Sequence, residues 1–206
     1  MSFTHNSIRA ALLIASGTAT ILIAGCGTDS DAAHPDHASA PTSVTSTSMP
    51  ASSVAQHNSA DVRFNQMMIP HHAQAVAMAD LVAPRTQNVQ IRQLAASIKK
   101  AQQPEIDQMT ARLRAWGQPT ELADGHGGHQ MNGMMSDDEM SKLRSARDAE
   151  FDRLWLRMMI AHHDGAVAMA DAVLADGVDP ATRELASAVK IAQQAEIGQM
   201  NTLLGQ

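Results

Sequence analysis

Residues 61–80 read DVRFNQMMIPHHAQAVAMAD, and residues 152–171 read DRLWLRMMIAHHDGAVAMAD, identical at 12 of 20 positions. A second block repeats at the same offset of 91 residues. IRQLAASIKKAQQPEIDQMTARL (91–113) and TRELASAVKIAQQAEIGQMNTLL (182–204) share 12 of 23 positions without a gap. Two collinear matches at one offset mark a duplication. Each unit reads as two helices, the first pair over about 61–82 and 86–116, with Pro84, then Gly117 and Pro119, as stop signals. In the second unit Asp179-Pro180 provides an N-cap and a proline for the first helical position. Ser136-Asp137-Asp138-Glu139 fits a capping box, predicting an additional helix that runs into Arg147. Two helix pairs from one chain imply an all-α four-helix bundle with pseudo-twofold symmetry and an extra connecting helix.

Composition points the same way. The 206 residues include no Tyr, three Phe and two Trp, so Ala, Leu, Ile, Val and 14 Met must do the packing. Ala, Leu and Met favour helix, and strand-favouring aromatics are nearly absent. The formal charge is −6, and removing residues 1–25 takes away only Arg9, leaving −7. An acidic surface repels phosphate backbones, so nucleic acid is not an expected partner. With Cys26 as the single cysteine, an internal disulfide and a thiolate metal cage are excluded.

Residues 1–25 read as an export signal: a polar start with Arg9, then a short apolar run over 10–23, too short to span a bilayer. Ile23-Ala24-Gly25-Cys26 resembles the bacterial lipobox, which predicts lipidation at Cys26 and an exported chain anchored to the cell membrane, facing outside the cytoplasm. Residues 26–56, rich in Ser, Thr, Ala and Pro, read as a flexible tether. His34, His37 and His57, on or near it, are read as incidental. Residues 57–206 form the duplicated domain, with repeat 1 over about 61–116, a Gly/His/Met loop over about 117–136 and repeat 2 over about 152–206.

On a helix advancing about 100° per residue, Met67, His71 and Met78 fall on one stripe, repeated by Met158, His162 and Met169. His72 and His163 lie about 100° further round. In the second block Ile98, Gln102, Glu105, Met109 and Leu113 occupy a sector of roughly 80°, an inward stripe that recurs with Gln193, Glu196 and Met200. A buried carboxylate needs a cation, a metal or a donor, and the expected partner is the inward His of the facing helix. Each unit then offers thioethers, an imidazole and a carboxylate in one place. Such ligands suit Cu(I) and Ag(I), and thioethers survive where free thiols would be oxidised.

A Met stripe at helical spacing is also ordinary core filler, and a His–Glu pair an ordinary structural clamp. The packing explanation does not extend to residues 124–140, DGHGGHQMNGMMSDDEM. Here His126, His129, Met131, Met134 and Met135 crowd a Gly-rich loop that has no core to fill. Pro70 and Pro104 stand inside predicted helices, where proline removes a backbone bond and kinks the helix. Ala161 and Ala195 replace them in the second unit, so the two sites are expected to differ in geometry.

MMIPHHAQAVAMA and MMIAHHDGAVAMA, with QQPEIDQM and QQAEIGQM and the GMMSDDEM string, resemble the domain of unknown function 305 family across nearly all of residues 57–206. The resemblance implies a ferritin-like helical bundle, commonly exported, in a family that includes periplasmic copper-binding proteins. The matching motif residues are Met67, Met68, His71, His72 and Met78, then Met158, Met159, His162, His163 and Met169. The expected function is soft-metal binding for copper tolerance, storage or delivery. Cu(I) is the expected ion, with silver or zinc as alternatives. The membrane is contacted through the lipid anchor alone, and homo-oligomerisation is left open. One alternative is a metal-free structural or partner-docking bundle. Another is a ferritin-like metal-dependent oxidoreductase, but no Glu is followed by His three residues on, as a di-iron site requires. The chain is therefore not expected to be an enzyme.

Overall fold

The computed structural model describes residues 56–122 and 132–205. Cys26, the tether and the loop residues His126, His129 and Met131 lie outside them. Five helices are present and, among the described residues, no strand: α1 (Ser59–Asp80), α2 (Val89–Ala115), α3 (Asp137–Ser145), α4 (Asp148–Asp176) and α5 (Pro180–Leu204). The expected all-helical class with a short connecting helix is what forms. None of the described helices is long and apolar enough to cross a membrane.

The helix ends follow from their capping residues. Asn58 caps α1 by accepting from the backbone of Ala60 and Asp61, and Asp61 returns the bond to the Asn58 N–H. Asn88 caps α2, and Asp179 caps α5 ahead of Pro180. The predicted capping box Ser136/Glu139 opens α3, which stops at Ser145 rather than entering Arg147. Both α1 and α2 run through their internal prolines, Pro70 and Pro104, as single helices.

Within each repeat the two helices pack together, α1 on α2 and α4 on α5, and α1 against α4 joins the repeats. The interior falls into two apolar clusters. One holds Met78, Ile91, Leu94 and Ile98 of repeat 1 with Phe151, Trp155, Met158, Met159 and Met200 of repeat 2. The other holds Phe64, Met68 and Met109 of repeat 1 with Met169, Val173, Leu185 and Val189 of repeat 2. Shifting by 91 residues carries most of one cluster onto the other, so each end of the bundle combines the start of one repeat's first helix with the end of the other's. The ends are not equal. Met140 and Leu143 of α3, followed by Ala146, pack only into the first cluster. Trp155 is also confined to that end, its indole N–H donating to the Met78 carbonyl at 3.0 Å.

The second end carries a buried polar network instead. One carboxylate oxygen of the fully buried Asp61 accepts from the backbone N–H groups of Asn58, Val178 and Asp179, stapling the start of α1 to the α4–α5 turn. Arg112 donates to Asn65 at 3.0 Å and pairs with Asp179. Nothing in the periodicity signalled this network. Its sequence trace is that Asn65, Arg112 and Thr182 stand where the other repeat has Leu156, Leu203 and Ile91.

Candidate metal centre

Along every long helix the two apolar clusters are separated by polar residues at the same level. On α1 these are His71 and His72, between Met68 and Ala75. On α2 they are Gln102 and Glu105, between Ile98 and Met109. His162 and His163 on α4, and Gln193 and Glu196 on α5, complete the layer. All four histidines are fully buried, and Gln102 and Gln193 nearly so.

His71 and His162 meet across the pseudo-twofold axis, ring centroids 3.7 Å apart and tilted by 35°. His72 and His163 turn the other way. Each brings its Nε2 to 2.7 Å from a carboxylate oxygen of its own repeat, Glu105 and Glu196 respectively. The expected pairing of Glu with the His on the Met67 stripe is therefore corrected: the neighbouring His takes it. The roughly 100° between adjacent positions does not push either ring to solvent, because α1 and α4 have packed partners on two sides. One His faces the other repeat and the next faces its own. The carboxylates are not sealed either, with Glu105 20% and Glu196 19% exposed.

Nδ1 and Nε2 of His71 and His162, Nδ1 of His72 and His163, and Oε1 of Gln102 and Gln193 have no hydrogen-bond partner among the described residues. Leaving a buried polar group unpaired costs about 1–3 kcal/mol, and eight such atoms in one layer call for a ligand. Burial, reinforced by repulsion from His72 and His163, holds His71 down to about 3, while the nearby carbonyls of Asn132 and His162 pull weakly the other way. Burial also lowers His162 well below its ordinary range. Both rings therefore stay neutral at physiological pH and keep a lone pair for a metal.

The thioethers are divided between the ends. Met67, Met68, Met109 and Met169 belong to one, Met78, Met158, Met159 and Met200, with Met140 of α3, to the other. Met67 and Met78 share a stripe but are 11 residues, or roughly 16 Å, apart along α1. The expectation that they converge with His71 on one ion gives way to this helical rise. Each end draws Met from both repeats. Met134 and Met135 are half-buried beyond the loop, and Met135 packs against the first cluster, so the expectation that these methionines have no core to fill is corrected there; the Gln74 amide both donates to the Met135 carbonyl (2.8 Å) and accepts from its N–H (2.7 Å).

Among the described residues no three His, Cys, Asp or Glu already converge on one point. A four-donor zinc cage is thus not formed by them. Two facing neutral imidazoles, flanked by further imidazole nitrogens and thioethers, are a donor set suited to a soft ion of low coordination number.

These features define a class: an internally duplicated helical bundle with an imidazole layer on its axis and thioethers at both ends. The chain matches the family model for Domain of unknown function (DUF305) over residues 61–204, and it belongs to that family. Among solved structures it is similar to a DUF305 fragment from Deinococcus radiodurans, 36% identical, with a TM-score of 0.66, covering 72% of this chain and 97% of that one. It is also similar to a DUF305 protein from Streptomyces coelicolor, provisionally described as secreted, 32% identical, with a TM-score of 0.67, covering 71% and 92%. A third relative is CopM, determined in Cu(II)-bound, Cu(I)-bound and Ag-bound forms. For the Cu(I) form the identity is 30% and the TM-score 0.59, with 69% of this chain and 94% of that one covered. No curated protein matches the chain.

Proposed function

We propose that this chain binds Cu(I) and Ag(I) outside the cytoplasm, as a lipid-anchored, non-catalytic protein of copper tolerance, storage or delivery. The observation that carries the reading is the layer of six buried imidazole nitrogens without a hydrogen-bond partner among the described residues. The copper- and silver-bound forms of the related CopM support it. So does the apolar run over residues 10–23 followed by Ala24-Gly25-Cys26, which fits an exported lipoprotein.

In this reading His71 and His162 hold the ion through neutral nitrogens that need lose no proton. Glu105 and Glu196 are positioning residues rather than ligands. A carboxylate accepting from Nε2–H fixes the imidazole tautomer and leaves Nδ1 as the free donor. Metal is here the cargo, and a soft ion held on fully buried imidazoles exchanges slowly with water.

The test is metal analysis of the full chain after loading with Cu(I), Ag(I), Zn(II) or Fe(II), followed by competition with a chromogenic Cu(I) chelator. The expected result is retention of Cu(I) and Ag(I) over the others. A His71→Leu/His162→Leu variant is expected to lose at least tenfold in Cu(I) affinity while circular dichroism still shows helix. A folded double variant with wild-type affinity would overturn the central layer as the site.

A further inference from the structure

The duplication is not carried through at the surface, and the difference leaves a groove at one end that reaches one pair of thioethers, the half-buried Met67 and Met169, itself 9% exposed. A groove of about 400 Å³ runs between α1 and α4 at the α3-free end, and its walls include Met67 and Met169 together with Ala60, Phe64, Ala172 and Asn132. Met67 comes from one repeat and Met169 from the other. The 91-residue shift turns this pair into Met158 and Met78, which lie in the opposite cluster at 7% and 0% exposure. That end is filled because the residues matching Ala60 and Ala172 are the larger Phe151 and Leu81, with Phe151 fully buried and Leu81 packed against the cluster. Helix α3 covers it as well. Small-for-large replacement at two matched positions therefore leaves the groove at one end.

Met67 is half-buried, and Arg63 Nε donates to its sulfur at 3.4 Å through an exposed contact. The Met67 sulfur is thus turned towards Arg63, which lines the same groove, while the side chain also packs against the second cluster. Arg63 has no counterpart at the closed end, where the matching residue is Leu154.

We propose that Met67 and Met169 form a single thioether site for Cu(I) or Ag(I) in this groove, distinct from the buried imidazole layer. It rests on the reading of soft metal as cargo, but not on the central histidines being its ligands. Two thioethers from facing helices supply soft donors without a proton to lose. A two-donor site bordering a surface groove exchanges faster than one on fully buried imidazoles, as befits the place where cargo enters or leaves. The duplicated sequence would otherwise predict two equal thioether sites, whereas this asymmetry predicts one. Arg63 holds the Met67 sulfur while the site is empty and moves aside when the ion binds.

The experiment is an Ag(I) titration of the full chain carrying methyl-labelled methionine, read by NMR of the ε-methyl groups. The Met67 and Met169 signals are expected to move together while those of Met78 and Met158 stay in place. Ala60→Phe, which copies the filled end, should lower the affinity read from those two signals at least tenfold with both thioethers retained. Should that variant misfold, Met67→Leu nearly preserves volume at a half-buried position and should abolish the shift at Met169. Arg63→Gln should tighten Ag(I) binding by a few-fold. If Met78 and Met158 move in step with the groove pair, the single-site proposal is overturned. It is overturned equally if the chain takes up Ag(I) with Met67 and Met169 unmoved, an outcome that leaves the imidazole layer standing. A chain that takes up no Ag(I) overturns both readings.

Discussion

At the residue scale the informative contrast lies between neighbours in sequence. His71 and His72 are both fully buried, yet one faces the opposite repeat through an imidazole and the other faces its own repeat through a carboxylate. This predicts how stability depends on pH. Unfolded, His71 titrates near 6.5, whereas in the fold burial holds it to about 3. Between those values the unfolded chain binds a proton that the folded chain does not. Metal-free stability therefore falls as pH drops through about 6.5 towards 3, by about 1.4 kcal/mol per unit for this histidine. His162, shifted the same way, steepens the loss. Urea unfolding of chelator-stripped protein from about pH 7.5 to about 5 checks this. A flat profile would show that the pair is hydrated or paired when free of metal. His71→Gln should flatten the slope by removing the group that titrates.

At the element scale the segment after the loop is held more firmly than its glycine-rich composition indicates. Gly133 has φ +83°, a left-handed conformation that favours glycine, and a Cβ there would come within 2.6 Å of the Ala161 carbonyl. A Cβ on Gly165 would overlap the carbonyl of Asn132. The repeat-1 position matching Gly165 is Gln74, whose amide holds Met135 by two hydrogen bonds. One position of the duplicated helix has thus become a notch for the connection, and its twin a clamp. Gly165→Ala is expected to destabilise by about 2–3 kcal/mol, since the backbone it meets cannot swing aside. Gly198→Ala is the control. It sits within α5 with nothing within 4 Å of an added Cβ, so it should stabilise by about 0.5–1 kcal/mol. Thermal unfolding of the two variants compares them directly, and equal shifts would mean the notch is not a packed contact. The helices themselves were legible in advance: Asp179-Pro180 and Ser136/Glu139 begin helices where their capping chemistry says they must. The notch was not, because a lone Gly in a helical pattern signals weakness until its neighbour in space is known.

At the scale of the whole molecule the duplication builds one shared interior from two repeats. Thioethers from both repeats gather at each end, joined at one end by Met140 of α3, and the imidazole layer lies between. The proposed lipid anchor is tested at Cys26. Cys26→Ser is expected to move the protein from the detergent phase to the aqueous phase of a detergent partition, with helicity unchanged. Wild-type protein found in the aqueous phase would refute the anchor. What the sequence by itself determined is whatever obeys local rules: helical periodicity, caps, the 91-residue offset, and the faces that carry His, Met, Gln and Glu. These depend on residues within a turn or two of one another. Tertiary structure alone decided which histidine meets Glu105, which methionines share an end, and that Phe151 fills one end where Ala60 leaves the other open. A helical wheel assigns a direction around an axis but neither a partner nor a height along the bundle, and both arise only when four helices compete for the same interior.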